Sequence, residues 1–462
     1  MKMKKMAYFS FLFSFAAFST ASANDFDVRD FGAVGDGKTK NTLSIQKAID
    51  ECSRTGGGVV KFESGRYLTG MIFLKDSVTL EISASATLLG SPNDADYPTN
   101  TPLKHLVKEL CPRGRGTALI VADQCRNIGI KGAGKIDCNG HEFVELARTR
   151  EYGYTSTGEQ LGKEVPGGLG DNWVNWKYRR KKGCPPPRMV LFAGCSDVSV
   201  SDISLVNPAA GWGFWATDCD RVFFDKVKVL ADPEKPNNDG FHINCSRDVI
   251  ISNCRVVAGD DAIKIRANGR ALAKGGTPAC ERVIVSNCSL QSHAGAISFG
   301  WIGDGVIRDC VFSNITISDS ASGINFVVPR FEQGMTDVGT AEPRFENISF
   351  GAITMDRIYS SPISLSFSCK KKVPSAIVKN VSFTDVRCKA LKFPSFISNS
   401  TCPIEDVVFR GCSFTRVSDE AFPEKWQKKG AAWWTRPTPE RFMAVRGLRY
   451  DGCTFNDLAI DK

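Results

Sequence analysis

From about residue 190 onward, apolar residues fall at every second position in short runs, and the runs recur. DVSVSDISLVN (197–207) is followed by RVFFDKVKVLAD (221–232), DVIISNCRVVAGDD (248–261) and RVIVSNCSLQ (282–291). GVIRDCVFSNITI (305–317), FENISFGAITM (345–355), AIVKNVSFTDVRC (376–388) and DVVFRGCSFTRV (406–417) continue the series. Each unit places two alternating runs around a polar Asn, Asp or Gly turn, and the units recur every 23 to 40 residues. Alternation at period two is the mark of a strand with one buried face. Short strands at this spacing, without helical patterns between them, predict a solenoid in which each coil covers its neighbour. Asn-Gly hairpin signals of the kind a meander needs are scarce. The expected fold class is all-β, a single right-handed parallel β-helix with an N-terminal capping helix.

The stretch NNDGFHINCSRDVIISNCRVVAGDDAIKI (237–265) sets a register. A coil of 22 residues brings Asn238 over Asp260 and Asp239 over Asp261. Phe241 and Ile243 then stack on Ile263 and Ile265, and His242 stacks on Lys264, both pointing outward because side chains alternate faces. The column continues through GAISFG (295–300), with Ser298 over Lys264, and GINF (323–326), with Asn325 over Ser298. Three carboxylates from two coils about 4.8 Å apart thus gather on one outer face. Single Asp-Gly and Asn-Gly sites elsewhere are ordinary turn residues. Like charges stacked this closely raise a pKa, a cost typical of functional sites.

The segment TLSIQKAIDEC (42–52) carries a helical period and is expected to cap the open N-terminal end of the solenoid. GAVGDGKT (32–39), just before it, lacks the spacing of a phosphate-binding loop. Residues 1–23 read as a cleaved signal peptide: MKMKK is basic, AYFSFLFSFAAFS is briefly apolar, and Ala21–Ser22–Ala23 is a small-residue cleavage site. The expected location is secreted or periplasmic. The domain expectation is a signal peptide (1–23) and one β-helix catalytic domain (24–462), with an N-terminal capping part over about 24–100 and an insertion over about 141–187.

Composition adds little except in charge and cysteine. The formal charge of +9 fits an anionic polymer, a nucleic acid or simply a mildly basic surface. The 17 cysteines are an odd number, and several sit in strand-like segments: Cys254, Cys288, Cys310 and Cys412. That recurrence suggests small buried residues stacked in successive coils. No cysteine or histidine spacing resembles a zinc site.

Two carboxyl groups, one protonated and one ionised, suffice to hydrolyse a glycosidic bond. Stacked coils accommodate either the wide spacing of inversion or the narrow spacing of retention, so the stereochemistry stays open. The chain resembles glycoside hydrolase family 28, the polygalacturonase-like pectin hydrolases. DVRDFGAVGDGKTKNTLSIQKAID (27–50), GGGVVKFESGRYLTG (56–70), LLGSPNDADYP (88–98) and GAGKIDCNG (132–140) carry part of the likeness. NNDG and GDDAIKI, similar to the family's Asn-Thr-Asp and Gly-Asp-Asp motifs, carry its most specific part. The resemblance implies Asp260 as general acid, Asp239 and Asp261 holding and activating the water, and Asn237 touching substrate or orienting Asp239. It implies inversion, with neither metal nor cofactor.

Two departures bear on the substrate. The family's Gly-His-Gly histidine falls on Gly295 within SHAGAISFG (292–300), leaving His293 or His242 as replacements. Its Arg-Ile-Lys motif, which grips a uronate carboxylate, falls on Asn325-Phe326-Val327. Arg330, Lys264 and Arg266 are the candidate substitutes, and Ser298 and Asn325 complete the expected groove. A side-chain sugar, a modified uronide or a rhamnogalacturonan-type linkage is therefore as good an expectation as plain polygalacturonate. The insertion, with WVNWKYRRKKGCPPP (173–187), offers aromatics and cations to sugar rings and uronates and would make the enzyme exo-acting if it closed one end of the groove. Trp433 and Trp434 are expected to add contacts or to cap the last coil. The expected partner is a pectic, uronate-containing poly- or oligosaccharide as substrate of a monomeric chain, with no nucleic acid and no membrane. Two rivals remain on the sequence: a calcium-dependent lyase on the same solenoid with Lys264 or Arg266 as base, and a non-catalytic carbohydrate-binding protein.

Overall fold

A computed structural model describes residues 24–98, 103–105, 117–146, 178–181, 188–209, 211–235, 237–269, 272, 278–300, 305–328, 343–367, 376–398, 403–418, 441–442 and 445–458. The described chain winds as a parallel β-helix. Eleven strands in one sheet run from Ile72–Phe73 through Phe241–Asn244, Ile263–Arg266 and Gly295–Phe299 to Arg441–Phe442, each paired parallel to its neighbour. A larger set of strands forms the remaining walls, again parallel coil to coil. Among the described strands, Val144–Leu146 and Tyr178–Arg180 form an antiparallel pair apart from the solenoid. This pair is the described part of the predicted insertion. Most of that insertion, the signal segment, Arg330, Trp433 and Trp434 lie outside the described residues.

The coil register follows the alternation read from the sequence. Phe241 pairs with Ile263, His242 with Lys264 and Ile243 with Ile265. Ile263, Lys264 and Ile265 pair in turn with Ile297, Ser298 and Phe299. Ser298 pairs with Asn325. The inward members of these rows are buried, so each coil closes the apolar face of the next. On a second wall, Phe312, Phe350, Phe383 and Phe409 occupy one row, with stacked rings 5.0, 4.8 and 4.7 Å apart.

The polar punctuation between the runs has a backbone cause. Asp197, Asp248, Asp309, Asn347, Asn380 and Asp406 adopt left-handed backbone, as do Asn253, Asn287 and Asn314. These corners turn the chain between walls, and Asp and Asn enter that region more readily than other side chains. The asparagines also bond along the solenoid: Asn314 donates to Asn287 at 2.7 Å and Asn287 to Asn253 at 3.2 Å.

The helix Thr42–Arg54 caps the N-terminal end as expected, burying Ile45, Ala48, Ile49 and Cys52 on one face. The cysteines are buried beside the corners. Cys195 Sγ donates to the carbonyl of Ala122 at 3.4 Å, and Cys219 Sγ to that of Phe192 at 3.4 Å, one coil back in each case. Every described cysteine is a free thiol, and all but Cys453 are buried. They behave as small core residues, as the recurrence suggested. Among the described residues no helix is long and apolar enough to cross a membrane.

Candidate active site

The three acids lie where chain enters two neighbouring strands of the eleven-stranded sheet. Asp239 precedes Phe241–Asn244, and Asp260 and Asp261 precede Ile263–Arg266. The backbone joins the coils here: Gly240 N–H donates to the Asp261 carbonyl at 2.9 Å, and Asp261 N–H donates to Asp260 Oδ1 at 3.0 Å. From the preceding coil, Asn237 Nδ2 donates to Asp260 Oδ2 at 3.0 Å. From the following coil, Ser292 Oγ donates to the Asp260 carbonyl at 2.5 Å. Asn237 thus orients Asp260, where the resemblance offered a contact with substrate or with Asp239.

The outward column is not an open face. Asp239, His242, Lys264 and Ser298 expose only 4, 4, 5 and 2% of their surfaces. They point away from the solenoid core, as alternation requires, but other side chains cover them. Trp212 lies flat on His242, with ring centroids 3.7 Å apart and planes 15° from parallel. Arg188, itself buried, sits over Trp212 and Trp215 at 4.9 and 4.3 Å. His242 Nδ1 is 2.8 Å from Asp239 Oδ2. Burial, then the cations of Arg266, Lys264 and Arg188, hold the imidazole well below its usual range. The ring is therefore neutral at pH 7, and its Nδ1–H donates to Asp239.

Lys264 is committed within the protein. Its Nζ is 2.9 Å from Asp261 Oδ2 and donates to Ser298 Oγ at 2.8 Å. Arg266 lies two residues further along the strand on the same outward side, paired in register with Asn244 and almost wholly buried. As substitutes for the uronate grip, both differ from expectation in being covered. Asn325 Nδ2 donates to Ser322 Oγ at 2.5 Å. A Cβ added at Gly295 would stand 2.7 Å from Asn325 Nδ2 and 2.8 Å from Asp261 Oδ1. The space of the displaced histidine is thus filled by its neighbours. His293 is buried two residues earlier and reaches back by backbone to the Ala258 carbonyl at 3.0 Å. Of the two histidines offered as replacements, His242 makes a direct side-chain contact to one of the acids.

Asp260 carries a raised pKa. The residue is part-buried. Burial first, then the negative charge of Asp261, push its pKa up to about 7, against the lowering effects of Lys264, the Asp261 N–H and Asn237. A carboxyl that is half protonated near neutrality is able to donate a proton to a leaving oxygen. The trio does not suit calcium, which takes six or more oxygen ligands. Asp239 is bonded to His242 and Asp261 to Lys264, so the lyase rival lacks a cradle in these residues. A separate surface depression of about 760 Å³ lies at the opposite end of these strands. Its charged side chains pair with one another, as in Arg221 with Asp197 and Arg247 with Asp220.

Comparison with known proteins gives a family for the chain. The description Glycosyl hydrolases family 28 matches residues 109–419, more than half of the chain. The chain belongs to family 28. A second description, Rhamnogalacturonase A/epimerase, pectate lyase-like, matches residues 26–130 at the capped end. An exo-poly-alpha-D-galacturonosidase of Dickeya chrysanthemi is 26% identical over 392 residues, covering 79% of this chain and 63% of that protein. A probable polygalacturonase of Vitis vinifera is 25% identical over 301 residues, covering 64% of this chain and 55% of that protein. The chain therefore spans between about half and two thirds of the length of these relatives. The family 28 exopolygalacturonase of Yersinia enterocolitica shares the fold at a TM-score of 0.63 and 21% identity, covering 94% of this chain and 78% of that one. An exopolygalacturonase of Thermotoga maritima does so at 0.62 and 19%, covering 94% and 92%.

Sequence reasoning did not find Trp212, Arg188 or Ser292. The first had a signal: GWGFWATDCD (211–220) repeats the phrasing of GFHINCSRD (240–248), and Trp215 pairs with His242 in register. Extending the column one coil toward the N-terminus would have put an aromatic pair beside the histidine.

Proposed function

We propose that this family 28 chain hydrolyses glycosidic bonds in pectin or a related acidic plant polysaccharide, with inversion. Asp260 protonates the leaving oxygen, while Asp239 and Asp261 place and activate the water. The observation that carries this reading is the division of labour among adjacent acids. Asp260 is held near pH 7 in its titration, while Asp239 and Asp261 are each bonded to a nitrogen base, His242 and Lys264. Exo action is part of the proposal, supported by the relatives named as exo-acting enzymes. Asn325 in place of a cation supports a modified uronide, a side-chain sugar or a rhamnogalacturonan-type linkage alongside polygalacturonate.

Incubation with a panel of pectic fractions and defined oligosaccharides is expected to release saturated mono- or disaccharides from one fraction. Proton NMR in the first minutes should show the anomer opposite to that of the bond cleaved. An unsaturated product, or retained configuration, would sink the mechanism; a ladder of long products would remove exo action alone. We also propose that the enzyme acts after export, with residues 1–23 removed. Edman sequencing of the protein recovered outside the cytoplasm should start at Asn24. A start at Met1 would reject cleavage.

A further inference from the structure

We propose that Lys264 is a positioning residue for the acid pair: clamped between Asp261 and Ser298, its ammonium orients the Asp261 carboxylate and balances the charge that two adjacent acids place in one confined spot. The inference rests on the proposed role of Asp260. Lys264 reaches Asp261 Oδ2 at 2.9 Å from its own coil, and its contact to Ser298 Oγ at 2.8 Å ties it to the next. The opposite oxygen, Asp261 Oδ1, accepts from the Gly295 N–H at 3.3 Å. Glycine matters at that point, because a Cβ there would overlap Oδ1. Both oxygens of Asp261 are therefore held by groups on two successive coils. The Lys264 side chain is 7% exposed, too covered to serve a sugar directly.

A buried ammonium is costly unless it is paired and hydrogen-bonded, and here it is both. Its charge also reaches Asp260, opposing the upward push of burial and Asp261. The charges that act most on Asp260 are those of Asp261 and Lys264 on its own coil. The coil before brings Asp239 and His242, with Asp232 and the buried Lys235 packed against Gly259; Arg266 follows Lys264 on the same strand, and His293 lies on the coil after. The imidazole of His242 is neutral, and Lys264 is the cation nearest along the chain to the acid pair.

The test compares Lys264→Met, Lys264→Gln and Lys264→Arg. Removing the cation should move the alkaline limb of kcat/KM to higher pH by about one unit or more, with the plateau lowered. The arginine variant, which keeps the charge, should hold the wild-type limb. A limb that stays in place in the Met and Gln variants while the plateau falls overturns the proposal, because loss of packing alone predicts that result. Carbon-13 NMR of the Asp260 carboxyl, assigned by its absence from Asp260→Asn, reads the same shift without activity. An unmoved resonance there also overturns it. Full activity in Asp260→Asn would instead reject the proposed function, so the two failures are separable.

Discussion

Replacing Asp260 by Asn is expected to lower the rate of glycosidic cleavage by about 10²–10⁴-fold, the usual worth of a general acid. The amide is close to the carboxyl in shape but has no acidic proton to transfer to the leaving oxygen. Wild type should lose kcat/KM as pH rises through about 7, where Asp260 gives up its proton. Reducing-end assays on the fraction that wild type cleaves would settle the point; a loss smaller than about threefold would remove Asp260 from the acid role. The same variant has a second expected signature. The folded-state pKa of Asp260 lies above that of an unfolded aspartate at about 3.9. Between those values the folded chain binds a proton that the unfolded chain has lost, so stability contributed by this group falls as pH rises from about 4 to about 7. Asparagine removes that loss. The unfolding midpoint of Asp260→Asn relative to wild type should therefore climb across that window and level off above it. A flat difference across pH would mean that Asp260 titrates normally. Lower activity with higher stability is the expected trade at a site where a charge is confined for chemistry.

Replacing Phe350 by Ala is expected to cost about 3–5 kcal/mol. Its ring is 1% exposed and stacks between Phe312 and Phe383 at 5.0 and 4.8 Å. It also meets the edges of Phe299 and Phe326 from the wall that carries the site column. Truncation would leave a cavity bounded by rings fixed on neighbouring coils, which have little freedom to close it. The matched control is Val311→Ala. Val311 is 42% exposed on the outer face of the same strand as Phe312, and its truncation should stay within about 0.5 kcal/mol. Chemical denaturation of both variants, followed by circular dichroism, checks the pair. Equal shifts would mean that the aromatic row does not hold the coils together.

The parts of this fold that were legible in the sequence share one property: each depends on neighbours close along the chain or on strict alternation. A slip of one residue in the 241–265 register would turn Phe241 and Ile243 outward and His242 inward, so burial left a single alignment. The Asn and Asp corners were visible because few other residues accept left-handed backbone. The capping helix was visible because Ile45, Ala48, Ile49 and Cys52 recur at helical spacing. The acid cluster followed from the register and from the resemblance together.

What surrounds those acids was a matter for the folded chain. Alternation assigns Lys264 to the outer side of its strand but does not say whether solvent or Asp261 meets it there. Trp212 covers His242 from one coil away, Ser298 takes Lys264 from another, and the space at Gly295 belongs to Asn325 and Asp261. Each of these contacts joins residues that are between 3 and 34 positions apart and depends on side-chain direction across coils of unequal length. A linear pattern specifies which face a residue occupies. Whether that face is wet, paired or filled depends on which side chains neighbouring coils bring against it, and that depends on coil lengths that carry no strict periodicity.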